Sequence, residues 1–297
     1  MNIQSLSICV PSTGCINCCK FCVSRMRCSK YESRFKIGNH EKGSDFFESF
    51  KKRMEFARDN NCNTVMLTGE CEPQQNMTFL WFVKDVLYYM ERPFRNVEIQ
   101  TTGARVTDDI LGEFKGIGIC TISLSISSFN NDVNNEVIGT SEKNFINLKD
   151  LCSLIKDYKY NFNLRLSLNV TDQLLKTKEP DIEEIFEKCK NLKADQVTFR
   201  KMYVSNNNTE QDKWIAEHMI SDQNAWFYKL SDYIKKKGNY IDTLEYGQNR
   251  YSVGEMSVVV DDDCMAKKKN VKAAKYLILR PDCHLYTKWD DKGSLVF

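Results

Sequence analysis

The sequence predicts an α/β protein: a partial (βα)6 TIM-like barrel followed by a small β-rich C-terminal subdomain. Three observations predict it. Six short runs with strand-like composition recur between residues 5 and 203. Longer stretches with helical apolar spacing separate them. Beyond Gly238 the pattern changes to short strands divided by Asp-rich and Lys-rich turns. Strand–helix alternation places helices outside a parallel sheet. Six βα units suit a partial barrel, with a doubly wound open sheet as the alternative.

The predicted strands are 5–10 (SLSICV), 63–69 (NTVMLTG), 96–103 (NVEIQTTG), 120–127 (CTISLSIS), 163–170 (NLRLSLNV) and 196–203 (QVTFRKMY). Helices are expected over 44–60, 76–91, 107–115, 143–159 and 181–191. In the first of these, Phe46, Phe50 and Met54 recur at helical spacing. Asp181, after Pro180, reads as a helix start. A longer helical stretch spans 210–237, and strand-like YIDTLEYG, GEMSVVVD, KYLILRPD and HLYTKWDD follow. The expected division is a barrel over 1–238 and a capping subdomain over 239–297.

Composition narrows the class. The chain has 297 residues and 42% hydrophobic content, with a formal net charge of +2. That balance argues against a general nucleic-acid coat or a membrane-surface protein, so a nucleic-acid partner is not indicated. No apolar run approaches the ~20 residues that span a bilayer. The N-terminal MNIQSLSICVPSTG lacks the basic start and long apolar core of a signal peptide, so a cytoplasmic location is expected. Thirteen cysteines in a chain this long do not resemble a disulfide scaffold. Cys9, Cys62, Cys120, Cys152 and Cys189 sit in apolar or helical patterns and read as packing residues.

The exception is TGCINCCKFCVSRM, residues 13–26, which holds Cys15, Cys18, Cys19 and Cys22 just after the first strand. Cys15-x2-Cys18 and Cys19-x2-Cys22 each have zinc-knuckle spacing. With no residue between the pairs, little chain remains to fold around a tetrahedral ion. The other reading is Cys15-x3-Cys19-x2-Cys22 with Cys18 and Cys28 as free thiols. Three thiolates so spaced can hold three irons of a [4Fe–4S] cluster and leave the fourth open. A thiol redox relay is a further alternative. The loop lies where α/β barrels build active sites, at the C-terminal end of a strand.

CxxxCxxC after the first strand, with Phe21 just before the last cysteine, resembles the radical S-adenosylmethionine (SAM) superfamily. The second strand ends in TGECEP, similar to that family's TGxGEP. Thr68, Gly69, Glu72 and Pro73 match, Glu70 fills the variable position and Cys71 replaces the usual glycine. Thr102, in IQTTG, stands in the element similar to TNG. The resemblance implies that this chain binds a [4Fe–4S] cluster through Cys15, Cys19 and Cys22. It also implies that SAM chelates the open iron and that a 5′-deoxyadenosyl radical abstracts hydrogen from substrate. It places Phe21, Thr68, Gly69, Glu70, Cys71, Glu72 and Thr102 at SAM, with Ser125 at its carboxylate, Asn169 at the ribose and Met202 near the adenine. Ser127 occupies a position that is usually acidic in the family.

The tail LILRPDCHLYTKWDD resembles hairpins that carry auxiliary clusters in some family members. Only Cys264 and Cys283 are available there, with His284 as a further donor, so the expectation is a cluster-free remnant capping the barrel. Order and hairpin are similar to the molybdopterin-precursor cyclase group, without its auxiliary-cluster cysteines. Arg165, Arg200 and Lys201 on inner strands suggest a polar or anionic substrate, or ion pairs to Glu98 or Asp195. Tyr286 and Lys267–Lys269 are expected near the substrate entrance, although a solvated loop is the commoner reading of such a lysine run. The leading expectation is a radical SAM enzyme for a small polar or nucleotide-like molecule, with an external flavodoxin- or ferredoxin-type electron donor. The alternatives are a peptide- or protein-modifying radical SAM enzyme and a non-catalytic zinc-binding interaction module.

Overall fold

A computed structural model describes residues 2–26, 32–36, 38, 40–157, 159–205, 207–266, 272–289 and 291–297. Cys28 and Lys267–Lys269 lie outside them.

In chain order the elements are β1 (Asn2–Ile3), β2 (Leu6–Val10), α1 (Asp45–Asp59), β3 (Thr64–Gly69), α2 (Met77–Tyr89), β4 (Asn96–Thr101), α3 (Asp108–Ile117) and β5 (Thr121–Ile126). Then come α4 (Asn131–Ile138), α5 (Leu148–Ile155), β6 (Asn163–Val170), α6 (Ile182–Asn191), β7 (Gln196–Lys201), α7 (Glu210–His218) and α8 (Gln223–Lys237). The chain ends with β8 (Asn239–Thr243), β9 (Asn249–Val253), β10 (Met256–Asp261), β11 (Ala273–Ala274), β12 (Leu277–Leu279) and β13 (Leu285–Tyr286).

All six predicted barrel strands form. Asp181 caps α6 by accepting from Glu184 N at 2.7 Å, as its position after Pro180 predicts. Three helical expectations change. The stretch 210–237 is two helices, because Asp222 leaves helical geometry and caps α8 instead. The stretch expected over 143–159 shortens to α5, and its start is a 3-10 turn at Glu142–Asn144. Helix α4 was not expected, since its asparagine-rich sequence reads as loop.

One sheet runs β13-β12-β2-β3-β4-β5-β6-β7-β10-β9-β8. From β12 to β10 every neighbouring pair is parallel. Two strands beyond Gly238 therefore extend the six-strand barrel sheet, β12 beside β2 and β10 beside β7. The sequence boundary at Gly238 coincides with the end of α8, but the sheet crosses it. β10 and β12 are not partners in the ladder. Lys275 spans the gap between them, with its ammonium on the Asp261 carboxylate and on Asp263 O at 2.6 Å.

Alternation along the strands fixes what faces where. Leu6, Ile8, Leu67, Ile99, Ile122, Leu124, Leu164, Leu166 and Phe199 are fully buried in the apolar core. The alternate residues Ser7, Met66, Glu98, Ser123, Arg165, Ser167 and Arg200 line a cavity of about 810 Å³ inside the barrel. Bulky branched side chains usually fill such an interior. Here serine and long polar chains leave it hollow and partly polar.

Candidate active site

The cysteine loop leaves the C-terminal end of β2 and is gripped from two sides. On one side Gln75 accepts from Ile16 N at 3.0 Å and donates to Gly14 O at 3.1 Å, while Asn76 donates to Pro11 O at 2.8 Å. On the other, Cys18 N donates to Ile138 O at 3.0 Å and Lys20 N to Val137 O at 2.9 Å. These carbonyls end α4, so the helix that the sequence reading missed forms part of the seat of the loop. Gly139 closes α4 at φ +67°, and a Cβ there would lie 2.7 Å from Cys18 O. Only glycine meets both conditions without strain.

Cys15, Cys19 and Cys22 line the cavity, and none is in a disulfide. Burial pushes the Cys19 thiol well above its ordinary value, and the nearby Cys22, Glu72 and Cys15 push it further. Burial also raises Cys15 against a backbone hydrogen bond from Asn17, with Glu72 and Cys22 adding to the rise. Cys15 and Cys19 therefore both lie within electrostatic reach of the Cys22 sulfur. Cys18 is exposed, and its sulfur accepts from Arg25 Nη1 at 2.6 Å. A tetrahedral zinc, with Zn–S of about 2.3 Å, needs sulfurs within about 4 Å of each other. Among the described residues no three His, Cys, Asp or Glu side chains gather so closely.

Glu72 is buried at 5% exposure, and both its oxygens are occupied. Oε1 accepts from Asn17 Nδ2 at 3.0 Å and Thr102 Oγ1 at 2.9 Å. Oε2 accepts from Thr102 N at 3.0 Å, from Gln74 Nε2 at 3.3 Å and from the Thr101 hydroxyl. The resemblance gave this carboxylate to SAM. The geometry gives it first to Asn17, inside the cysteine loop, a residue that sequence reading passed over.

The neighbouring motif positions are also placed. Gly69 has φ +145°, and a Cβ there would fall 2.6 Å from Val10 N, so the TG step requires glycine. Cys71 fits where glycine is usual because its thiol turns to Val10 O, at 3.9 Å; burial pushes it up to about 12. Glu70 lies 3.8 Å from Nη1 of Arg280, a fully buried arginine just after β12 that carried no sequence signal. Thr68, Phe21 and Met202 line the cavity, and the Phe21 ring stands 6.4 Å from that of Trp214. Asn169 Nδ2 donates to Ser125 Oγ at 3.1 Å and Ser127 Oγ at 3.2 Å. Three separated sequence signals thus meet in one polar tier.

Of the four substrate candidates, three are otherwise engaged. Arg165 forms a two-pronged ion pair with Glu98, at 2.5 and 2.8 Å, and bonds Gln196 at 2.8 Å. This is one of the two internal partners anticipated for it. Asp195, the other, instead pairs with Lys156 at 2.8 Å. The Lys201 ammonium donates to Asn224 of α8 at 2.7 Å. Tyr286 donates to Asp282 at 2.7 Å and packs with Cys9, Tyr276 and Ile278, off the cavity wall. Arg200 faces the cavity, with Nε donating to Ser167 Oγ at 2.6 Å.

Residues 9–173 match the family model described as the radical SAM superfamily. The chain belongs to that superfamily. It is an enzyme class that uses a [4Fe–4S] cluster and SAM. The fold is similar to SuiB of Streptococcus suis bound to S-adenosylmethionine, with a TM-score of 0.59 at 14% identity over 96% of this chain. This chain spans only 60% of the SuiB chain. Native anSMEcpe with bound AdoMet gives a TM-score of 0.62 at 13% identity, covering 97% of this chain and 75% of that one. The coproporphyrinogen III oxidase HemN of Escherichia coli gives 0.51 at 13%, covering 87% and 63%. No curated protein sequence matches this chain. Family membership sets aside the zinc-binding interaction module. Among the described residues no helix is long and apolar enough to cross a membrane.

Proposed function

We propose that this radical SAM enzyme acts on a small polar or nucleotide-like substrate held inside the barrel, and that Cys15, Cys19 and Cys22 hold the cluster. The carrying observation is that three unlinked thiols share one partly polar cavity with Ser125 and Asn169, which bond each other. The residues fit the cofactor pair: three unlinked thiols supply a three-point thiolate set, and the tier supplies hydroxyl and amide groups for a polar ligand. When bound, the cluster and SAM supply reductive cleavage and a carbon-centred radical.

This chain's own residues do the rest. Asn17 and Glu72 fix the loop, Ser125 and Asn169 orient the methionyl and ribose groups, and Phe21 and Met202 flank the adenine. The strands β10 and β12, joined by Lys275, wall off the side of the barrel and limit the entry of water to the radical. An external flavodoxin- or ferredoxin-type protein supplies the electron.

A peptide substrate is the second reading. SuiB has been solved bound to the precursor peptide SuiA, and anSMEcpe with a Cp18Cys peptide. The cavity's serine lining and internal ion pairs favour the small polar molecule. Anaerobic incubation with reductant, SAM and either a deuterated metabolite pool or a deuterated peptide pool tests both. Deuterium in 5′-deoxyadenosine from the metabolite pool alone is expected; transfer from the peptide pool alone would overturn the preference.

A further inference from the structure

Arg200, at the C-terminal end of β7, is in register with Asn169 of β6 and Asp261 of β10. Its guanidinium does not stay level with Asn169. Nε bonds Ser167, two residues earlier on β6. Two residues along a strand is about 6.6–6.8 Å, so the cation leans back from Asn169 to the level of Ser125, the ladder partner of Ser167, away from the cysteine loop.

Its charge is uncompensated there. Glu98 is held by Arg165, Asp261 by Lys275 and Glu70 lies beside Arg280. Among the described residues Arg200 has no carboxylate within ion-pair distance. The same compartment holds two orphaned hydroxyls. Ser7 Oγ and Ser123 Oγ are buried, at 0% and 1% exposure, and line the cavity with no hydrogen-bond partner among the described residues. Buried hydroxyls left unpaired are costly, so the compartment is built for a polar occupant.

Resting on the functional reading above, we propose that Arg200 anchors the anionic group, carboxylate or phosphate, of a small polar substrate seated on the side of Asn169 away from the cysteine loop. The guanidinium presents paired N–H donors that match either oxyanion. The substrate's own hydroxyl or amine groups then meet Ser123 and Ser7.

The test uses full-length protein, reconstituted anaerobically, and follows melting temperature against inorganic phosphate and against acetate at matched ionic strength. SAM affinity is measured in parallel by equilibrium dialysis. Wild type should show a saturable rise of about 2–4 °C with at least one anion, as mass action on the folded state requires. Phosphate alone or acetate alone identifies which oxyanion the site takes. Arg200→Gln should abolish the rise and Arg200→Lys should keep part of it, both with iron content and SAM affinity unchanged within about two-fold. No anion response in wild type, or an undiminished one in Arg200→Gln, would overturn the proposal. So would a parallel loss of SAM affinity in Arg200→Gln, which would assign the arginine to the cofactor's own carboxylate. Failure of wild type to take up iron or SAM would instead sink the functional reading, because the anion response is read independently.

Discussion

Asn17 Nδ2 lies 3.0 Å from Glu72 Oε1, joining the middle of the cysteine loop to the carboxylate that follows β3. Fifty-five residues of chain separate the two. Thr102, after β4, accepts from the same amide at 2.9 Å and donates to the same carboxylate, so three strand ends converge on one buried charge. The position of Cys15 and Cys19 relative to the barrel is set there.

Glu72→Ala should therefore act on the loop before it acts on SAM. It strands the amides of Asn17 and Gln74 and the donors of Thr101 and Thr102. Losing a charged hub of this kind is expected to cost about 3–5 kcal/mol and to lower retained iron. Asn17→Ala should cost about 1–2 kcal/mol. In a double-mutant cycle with Glu72→Gln the two should couple by about 1 kcal/mol or more. Urea unfolding measures all three. Normal stability and iron with selective loss of SAM binding would return the carboxylate to the cofactor.

Gly139→Ala probes the other grip. The new methyl meets Cys18 O at 2.7 Å, and the backbone must hold φ +67°. The left-handed conformation alone costs about 1–2 kcal/mol. The clash falls on the cysteine loop, so iron content should drop more than the melting temperature implies. Gly112→Ala in α3, where a Cβ meets nothing within 4 Å, is the matched control and should be neutral or slightly stabilising.

Among the loop cysteines, Cys15→Ala, Cys19→Ala and Cys22→Ala should each abolish stable iron binding. Cys18→Ala should retain about four irons per chain. Cys18 faces Arg25 in solvent, whereas the other three line the cavity. Full iron in Cys19→Ala with loss in Cys18→Ala would reverse the assignment.

Much of this arrangement is legible in the sequence, for a physical reason. Strands with buried outer faces read as apolar alternation, and residues such as Thr68, Ser125 and Asn169 follow at predictable places near their C-terminal ends. What was not legible depends on contacts between distant segments. Arg280 shows no pattern of its own, yet it is fully buried beside Glu70. Asn17 sits among cysteines that draw all the attention, and α4 hides in a run of asparagines whose side chains serve as caps, Asn130 accepting from Val133 N at 3.1 Å. Arg165 and Arg200 both read as inward-facing cations, and only the fold separates the one that has a carboxylate from the one that does not.

Glu98 and Arg165 supply a test of that separation. The pair is largely buried, with side-chain exposures of 7% and 20%. Arg165→Gln should cost about 3–5 kcal/mol, because Glu98 is left charged in the barrel. Glu98→Gln combined with Arg165→Gln should recover at least half of that, since no bare charge remains. If the single variant is as stable as wild type but loses substrate-dependent SAM cleavage, Arg165 binds substrate and the structural assignment fails.

The segment after Gly238, read as a detachable cap, could be removed with little effect on the cluster. The ladder argues otherwise. β12 pairs with β2, which leads into the cysteine loop, and β10 pairs with β7, which carries Arg200. Val258, Leu277, Ile278 and Leu279 are all at 0% exposure, and at roughly 1.5–3 kcal/mol for each buried aliphatic side chain their loss alone rivals a domain's whole stability. Truncation also bares the open edges of β2 and β7, a template for aggregation. A chain ending at Gly238 should therefore be insoluble or unable to hold iron, and soluble yield with iron content would measure this directly. A soluble, brown, SAM-cleaving truncation would show that the two added strands merely decorate the barrel.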